Sequence, residues 1–231
     1  MHTEILTSNQ KELLIWISQF QREFYLVGGT AIALYLGHRQ SVDFDMFKQG
    51  TINHKRNLER LSASGFTFQV TRRVTEQMNC LLNDVKVTFF QYPFDVPATK
   101  KEGVPFRIPT LLDLAAMKAY ALGRRSKWKD YVDLYFILTE HYTMEQICVR
   151  ATEIFGELFS EKMFRAQLSF FDDIDYTEAV DYIINNPPSD DDIKRKLYNH
   201  LSLLPHPAHM HSLQHPSDFR YQVPILPLSL Q

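Results

Sequence analysis

Residues 26–47 read LVGGTAIALYLGHRQSVDFDMF, and the reading of this stretch decides the fold. Phe24-Tyr25-Leu26-Val27 is a short apolar run of the kind that forms a buried strand. Gly28-Gly29 ends it, and Thr30 is expected to cap a helix over 31–36 that Gly37 closes. Residues 41–47 then alternate. Val42, Phe44 and Met46 fall on one side and Asp43 and Asp45 on the other, which predicts a half-buried strand with its acids on the open face. Two glycines let main chain approach a ligand closely, and a helix opening directly after them aims unpaired N–H groups at an anion. Asp43 and Asp45 are two residues apart on one face, about 7 Å along the strand, so both carboxylates reach one metal ion or a metal pair. Thirteen residues separate Gly29 from Asp43, room for a single helix and a turn. The glycine turn and the acids are therefore expected at the same end of adjacent strands.

Working outward, Ser8 is the expected cap of a helix carrying Leu13, Leu14, Ile17 and Phe20 at helical spacing. After the acids, a helix over 52–63 ends near Gly65. Strands follow over 66–70, 79–82 and 85–92, with Asn83-Asp84 as the hairpin turn between the last two. Pro93, Pro97, Pro105 and Pro109 mark a loop-rich crossing. From Thr110 onward the period is helical, over 110–123, 127–141, 143–156, 160–171, 176–185 and 190–203. Strands and helices mix up to about residue 108 and helices alone follow, so an α/β domain over 1–108 and a helical domain over 109–204 are expected. The tail, 205–231, holds five prolines, four histidines and one basic residue without amphipathic period, and reads as an extended or disordered arm. Its His206, His209, His211 and His215 lack the Cys or carboxylate that would complete a recognisable metal spacing.

The chain has 231 residues, of which 45% are hydrophobic and 23% charged, enough apolar material for a core and too much for disorder throughout. No apolar run approaches the roughly 18 residues needed to cross a bilayer. The start, MHTEILTSNQ, reads as no secretion signal. Cys80 and Cys148 are the only cysteines, too few for a disulfide scaffold, so a reduced cytoplasmic protein without membrane contact is expected. The net charge of -2 points to no partner, but its distribution does. Residues 101–130 carry seven basic side chains against three acids, and 169–192 carry eight acids with no Lys or Arg. The basic middle, with its stretch 124–129, is expected to meet phosphate and the acidic segment to face water or a basic partner, while either segment taken alone reads as a solvated helix face.

A third group of residues lies in the helical half: Lys118, Arg124-Arg125, Lys129-Asp130 and Asp133. On a helix Asp130 and Asp133 are neighbours, with Val132, Leu134, Ile137 and Leu138 on the buried side. A lysine with two acids serves triphosphate contact, metal binding or proton removal. The glycine turn, the acid pair and this group together describe nucleotidyl transfer, in which Mg2+ on carboxylates bridges triphosphate oxygens and lysine neutralises charge. No Walker A motif, G-x-G-x-x-G, G-x-S-x-G, H-E-x-x-H or C-x-x-C occurs, so those chemistries have no support.

The 26–47 stretch, with VKVTFFQYPF (85–94), LAAMKAYALGRRSKWKDYVDLYFIL (114–138) and LSFFDDIDYTEAV (168–180), resembles the AbiEii/AbiGii toxin family, nucleotidyltransferases of the DNA polymerase β-like superfamily. The resemblance covers about residues 10–203. It implies an α+β fold, a polymerase-β-like core of mixed sheet and flanking helices followed by a helical bundle. It implies that Gly28, Gly29 and Thr30 contact the triphosphate, that Asp43 and Asp45 bind Mg2+, and that Lys118 and Asp133 are the family's lysine and acid, with Asp130 beside them. It further implies a toxin of a type IV toxin–antitoxin or abortive-infection system, with an NTP substrate, a tRNA or other RNA acceptor and a cognate antitoxin. One departure stands out. The superfamily's third carboxylate falls on Thr88, a neutral side chain. The expected function is therefore a Mg2+-dependent nucleotidyltransferase acting on RNA. A protein-nucleotidylating enzyme and a catalytically weak nucleotide-binding module are the alternatives.

Overall fold

Thr7 rather than Ser8 caps the first helix of the computed structural model, which describes residues 1–122 and 124–202. The Thr7 hydroxyl accepts from Gln10 N (3.2 Å) and the Gln10 side chain accepts from Thr7 N (3.0 Å), a reciprocal capping box that leaves Ser8 as the first residue of α1 (Ser8–Ile17). The next correction falls at the glycine turn. Strand β1 (Tyr25–Val27) passes directly into α2 (Gly28–Leu36), so Val27 is the cap and Thr30 lies inside the first turn. Gly28, at φ +73°, makes that abrupt join, and Gly37 closes the helix in the left-handed conformation as expected.

Asp43 leads into β2 (Phe44–Lys48), which holds Asp45 and begins later than the strand expected over 41–47; α3 (His54–Ser62), β3 (Phe68–Val74), β4 (Gln77–Leu82) and β5 (Val85–Gln91) follow. These strands form one mixed sheet in the order β1-β2-β5-β4-β3. β2 and β5 run parallel and the other neighbours antiparallel. Asn83 and Asp84 both take positive φ (42° and 64°), which matches the expected two-residue hairpin turn. The proline-rich crossing contains a small antiparallel pair, β6 (Ala98–Lys100) with β7 (Arg107–Pro109). Three residues per strand carry too little alternation for the pair to register as a sequence pattern.

Helices α4 (Leu111–Leu122), α5 (Trp128–Glu140), α6 (Met144–Phe155), α7 (Glu161–Ser169) and α8 (Asp190–Ser202) follow. The helix expected over 176–185 does not form. Its backbone bonds outward instead: Gln40 N donates to Asp181 O (2.8 Å) and Ile183 N to His38 O (3.1 Å), around an Arg39–Tyr182 antiparallel bridge. Pro187 and Pro188 block a helix continuing beyond it.

The chain divides into two compact units, Met1–Leu114 with Asp181–Ile184, and Ala115–Val180 with the residues from Asn185 on. The division falls inside α4, six residues beyond the expected boundary at 108, and 181–184 returns to the first unit. In the first unit the rings of Phe20, Phe24 and Phe89 pack with centroids 4.9–6.2 Å apart. In the second, Tyr120 stacks on Phe155 at 4.0 Å. Among the described residues no helix is long and apolar enough to cross a membrane. The tail 205–231, with its four histidines, lies outside the described residues.

Candidate active site

The antiparallel register of β1 on β2 pairs Val27 with Asp45, which brings the acid to the glycine turn. A Cβ built on Gly28 would lie 2.2 Å from Asp45 Oδ2 and 3.1 Å from its Cγ. Gly28 is thus required twice, for its positive φ and for the space that the Asp45 carboxylate fills. A Cβ on Gly29 would lie 2.7 Å from Arg39 Nη2 and 3.2 Å from Ser41 Oγ. Main chain therefore approaches a carboxylate on one side and a guanidinium on the other.

Thr30 is 1% exposed, and its hydroxyl ties two segments together. It donates to the main-chain oxygen of Asp43 and sits 2.9 Å from Ser41 Oγ. Gln10 Nε2 donates to Ser41 O at 2.7 Å. Asp43 is positioned by the first turn of α2, and Asp45 by its place in the sheet. The Asp43 carboxylate is part-exposed, with Lys86 Nζ 3.7 Å away. Arg39, Ser41 and Gln10 escaped the sequence reading. The available signal was a lone arginine between Gly37 and the acids; Arg39 is 2% exposed.

Asp45 pairs across the sheet with Thr88 on β5, and Thr88 in turn with Asn79 on β4. Thr88 is fully buried, and its hydroxyl has no hydrogen-bond partner among the described residues. The position beside the acid pair is neutral, as the sequence indicated. Among the described residues no group of three or more His, Cys, Asp or Glu side chains could hold a metal. Mg2+ commonly takes one or two carboxylates and completes its octahedron with water and substrate phosphates. Two acids, a neutral neighbour and an adjacent glycine turn fit an ion shared with a triphosphate, not one caged by protein alone.

Lys118 on α4 and Asp130 and Asp133 on α5 form a cluster in the second unit. Lys118 Nζ bonds Asp130 Oδ1 and lies 3.0 Å from Asp133 Oδ2, with the three side chains 7%, 2% and 0% exposed. Arg125 completes it, Nε 2.7 Å from Asp130 Oδ2 and Nη2 3.1 Å from Oδ1. Burial alone would push the Asp130 carboxyl upward, but the Arg125 and Lys118 charges outweigh it and hold the group below its ordinary value.

The basic stretch 124–129 departs from expectation. Arg124 lies 3.5 Å over the Tyr120 ring and donates to Tyr120 O and Leu158 O, while Arg125 is committed to Asp130. Lys127 and Lys129 share Glu178, at 2.7 and 3.4 Å. Every cation of the stretch thus has a partner within the protein.

A family model described as nucleotidyl transferase AbiEii toxin, type IV TA system, matches residues 13–201. An uncharacterized protein of Aquifex aeolicus (strain VF5) is 32% identical over 126 residues, 52% of this chain and 59% of that protein. The chain thus spans less than two-thirds of the length of that curated relative. Among solved structures, MenT4, a nucleotidyltransferase toxin of Mycobacterium tuberculosis H37Rv, superposes with a TM-score of 0.60 at 16% identity, covering 85% of this chain and 82% of MenT4. A putative nucleotidyltransferase of H. pylori superposes with a TM-score of 0.51 at 17% identity, covering 84% and 92%. At these identities the two structures speak for the fold.

Proposed function

The chain belongs to the AbiEii family of nucleotidyltransferase toxins of type IV toxin–antitoxin systems, and from that premise we propose that it transfers a nucleoside monophosphate from an NTP to RNA, with tRNA as the first acceptor to test. The observation that carries the reading is the Asp45 carboxylate lodged against Gly28 at the strand-to-helix join. It supports the reading because a helix start, an element that binds anions, lies beside one of the two acids. The main-chain N–H groups at the start of α2 hold phosphate oxygens. Asp43 and Asp45 hold Mg2+, which when bound offsets the triphosphate charge and lowers the pKa of the attacking hydroxyl. Thr30 acts through Asp43 by fixing its main chain.

On this reading Lys118 neutralises triphosphate charge, Asp130 lies on the nucleotide, and Asp133 or Asp130 takes the base role that Thr88 cannot fill. A cognate antitoxin is the protein partner this reading implies. Cys80 and Cys148 are buried and unpaired, with both thiols pushed up to about 12 by burial, in keeping with a reducing cytoplasm. The buried neutral Thr88 favours a second reading, a nucleotide-binding module with weak turnover.

The test is a labelling assay with purified chain, Mg2+ and each of four α-labelled NTPs, offered total RNA and, separately, a protein extract. The expected result is label in a tRNA-sized band that ribonuclease removes. Label that resists ribonuclease but not protease would move the acceptor to protein. No label from folded protein that still binds NTP would leave the binding module.

A further inference from the structure

α3 and the edge strand β3 carry charge that the chemistry above does not use. Lys55, Leu58, Glu59 and Ser62 of α3, its C-cap Ala63 and Arg73 of β3 line a groove of about 670 Å3. Lys55 and Arg73 are exposed, and neither has a carboxylate within ion-pair distance among the described residues. Beside them Arg60, Arg56 and Lys48 converge on the single carboxylate of Glu23, at 3.2, 3.4 and 4.0 Å. Arg72, next to Arg73 on the strand, has a buried Nε without a partner among the described residues. Six cations (Lys48, Lys55, Arg56, Arg60, Arg72, Arg73) thus stand against three carboxylates (Glu23, Glu59, Glu76), on a chain whose net charge is -2.

The sheet relates this patch to the acid pair. Asp45, Thr88, Asn79 and Arg72 are successive register partners, so Arg72 lies on the carboxylate face, three strand spacings or about 14 Å away. Arg73 is in register with Met78 and Phe89 and faces the other side, over the groove. The positive surface therefore wraps around the sheet edge. Charge along β3 alone would serve to block edge-to-edge pairing. That purpose needs neither a groove nor three cations drawn from α3. A small anion would engage one or two of these groups, whereas a phosphate backbone has the length and charge spacing to engage the whole edge.

We propose that the α3–β3 groove docks the phosphate backbone of the acceptor RNA, gripping it away from its reacting end. The proposal rests on the RNA-acceptor reading and names a surface for it.

The test is binding of fluorescent bulk tRNA to the full chain, followed by anisotropy from about 50 to 200 mM salt. The Lys55→Glu/Arg73→Glu variant is expected to bind about 10-fold more weakly near 0.1 M salt. Its slope of log K against log salt should be shallower by about 1.5, with NTP binding unchanged. Lys55→Gln/Arg73→Gln should move both quantities the same way by less, and it decides the matter if the charge-reversed chain fails to fold. A folded variant with wild-type affinity and slope would overturn the groove while leaving the RNA reading in place. Wild-type chain without salt-dependent tRNA binding would overturn both.

Discussion

Lys118→Met destabilises the protein by about 3–5 kcal/mol, because it withdraws the one ammonium that two buried carboxylates share. Methionine keeps the length and most of the volume of the lysine side chain, so lost packing contributes little. The cost is electrostatic: the fully buried Asp133 loses the ammonium 3.0 Å from its Oδ2, and Asp130 loses one of its two cations. Lys118→Met/Asp133→Leu, which removes both charges, should recover most of the loss, the behaviour of a pair whose solvation cost offsets its attraction. Urea midpoints of the three proteins at neutral pH check this. The acid limb gives an independent reading. A carboxyl held below its ordinary value of 3.8 stabilises the fold fully above that value and loses its contribution as pH falls through the folded pKa. Wild-type stability should therefore fall in this acid range. The fall should be smaller in Lys118→Met, where Asp130 has one cation fewer. Identical acid limbs would show that Lys118 does not help hold Asp130 ionised.

The second large effect is on chemistry and leaves stability nearly untouched. Asp43→Asn/Asp45→Asn is expected to lower nucleotide transfer by about 10^3-fold or more, since the pair supplies several kcal/mol of charge stabilisation through the metal. Asparagine matches aspartate in shape. Asp45 keeps its register with Val27 and Thr88, and the Thr30 tie runs to the main chain of Asp43, which the substitution does not alter. The ion pair of Asp43 with Lys86 is a part-exposed 3.7 Å contact, so the unfolding midpoint should change little. Transfer within about tenfold of wild type, from chain with an unchanged midpoint, would remove Asp43 and Asp45 from the site.

The parts legible in the sequence were those written in spacing. The strand, double glycine, helix and alternating acids fixed adjacent positions within some twenty residues. Asn83-Asp84 marked its hairpin because few residues other than glycine tolerate positive φ at two successive positions. The place of Thr88 beside the acids was implied by the family resemblance, and the register pairs it with Asp45. Periodicity shows which face is buried but does not name the partner a polar group finds there. Thr30 was expected to cap a helix and instead ties Asp43. Arg39, a charge in a loop, is 2% exposed beneath Gly29. Arg124, Arg125, Lys127 and Lys129 formed a basic run in sequence, yet Tyr120, Leu158, Asp130 and Glu178, up to 51 residues away, take them up. The extended path of 181–184 is set in the same way, by backbone groups of 38–40 that no local window contains.

The central claim is that the glycine turn and the acid pair form one nucleotide and metal centre, and calorimetric binding of a non-hydrolysable NTP analogue tests it most directly. Wild-type chain should bind the analogue more tightly with Mg2+ than with chelator. Asp43→Asn/Asp45→Asn should bind it equally in both, and Gly28→Ala, whose Cβ would displace the Asp45 carboxylate, should bind weakly in both. An Asp43→Asn/Asp45→Asn chain that kept the full Mg2+-dependent gain would contradict the account.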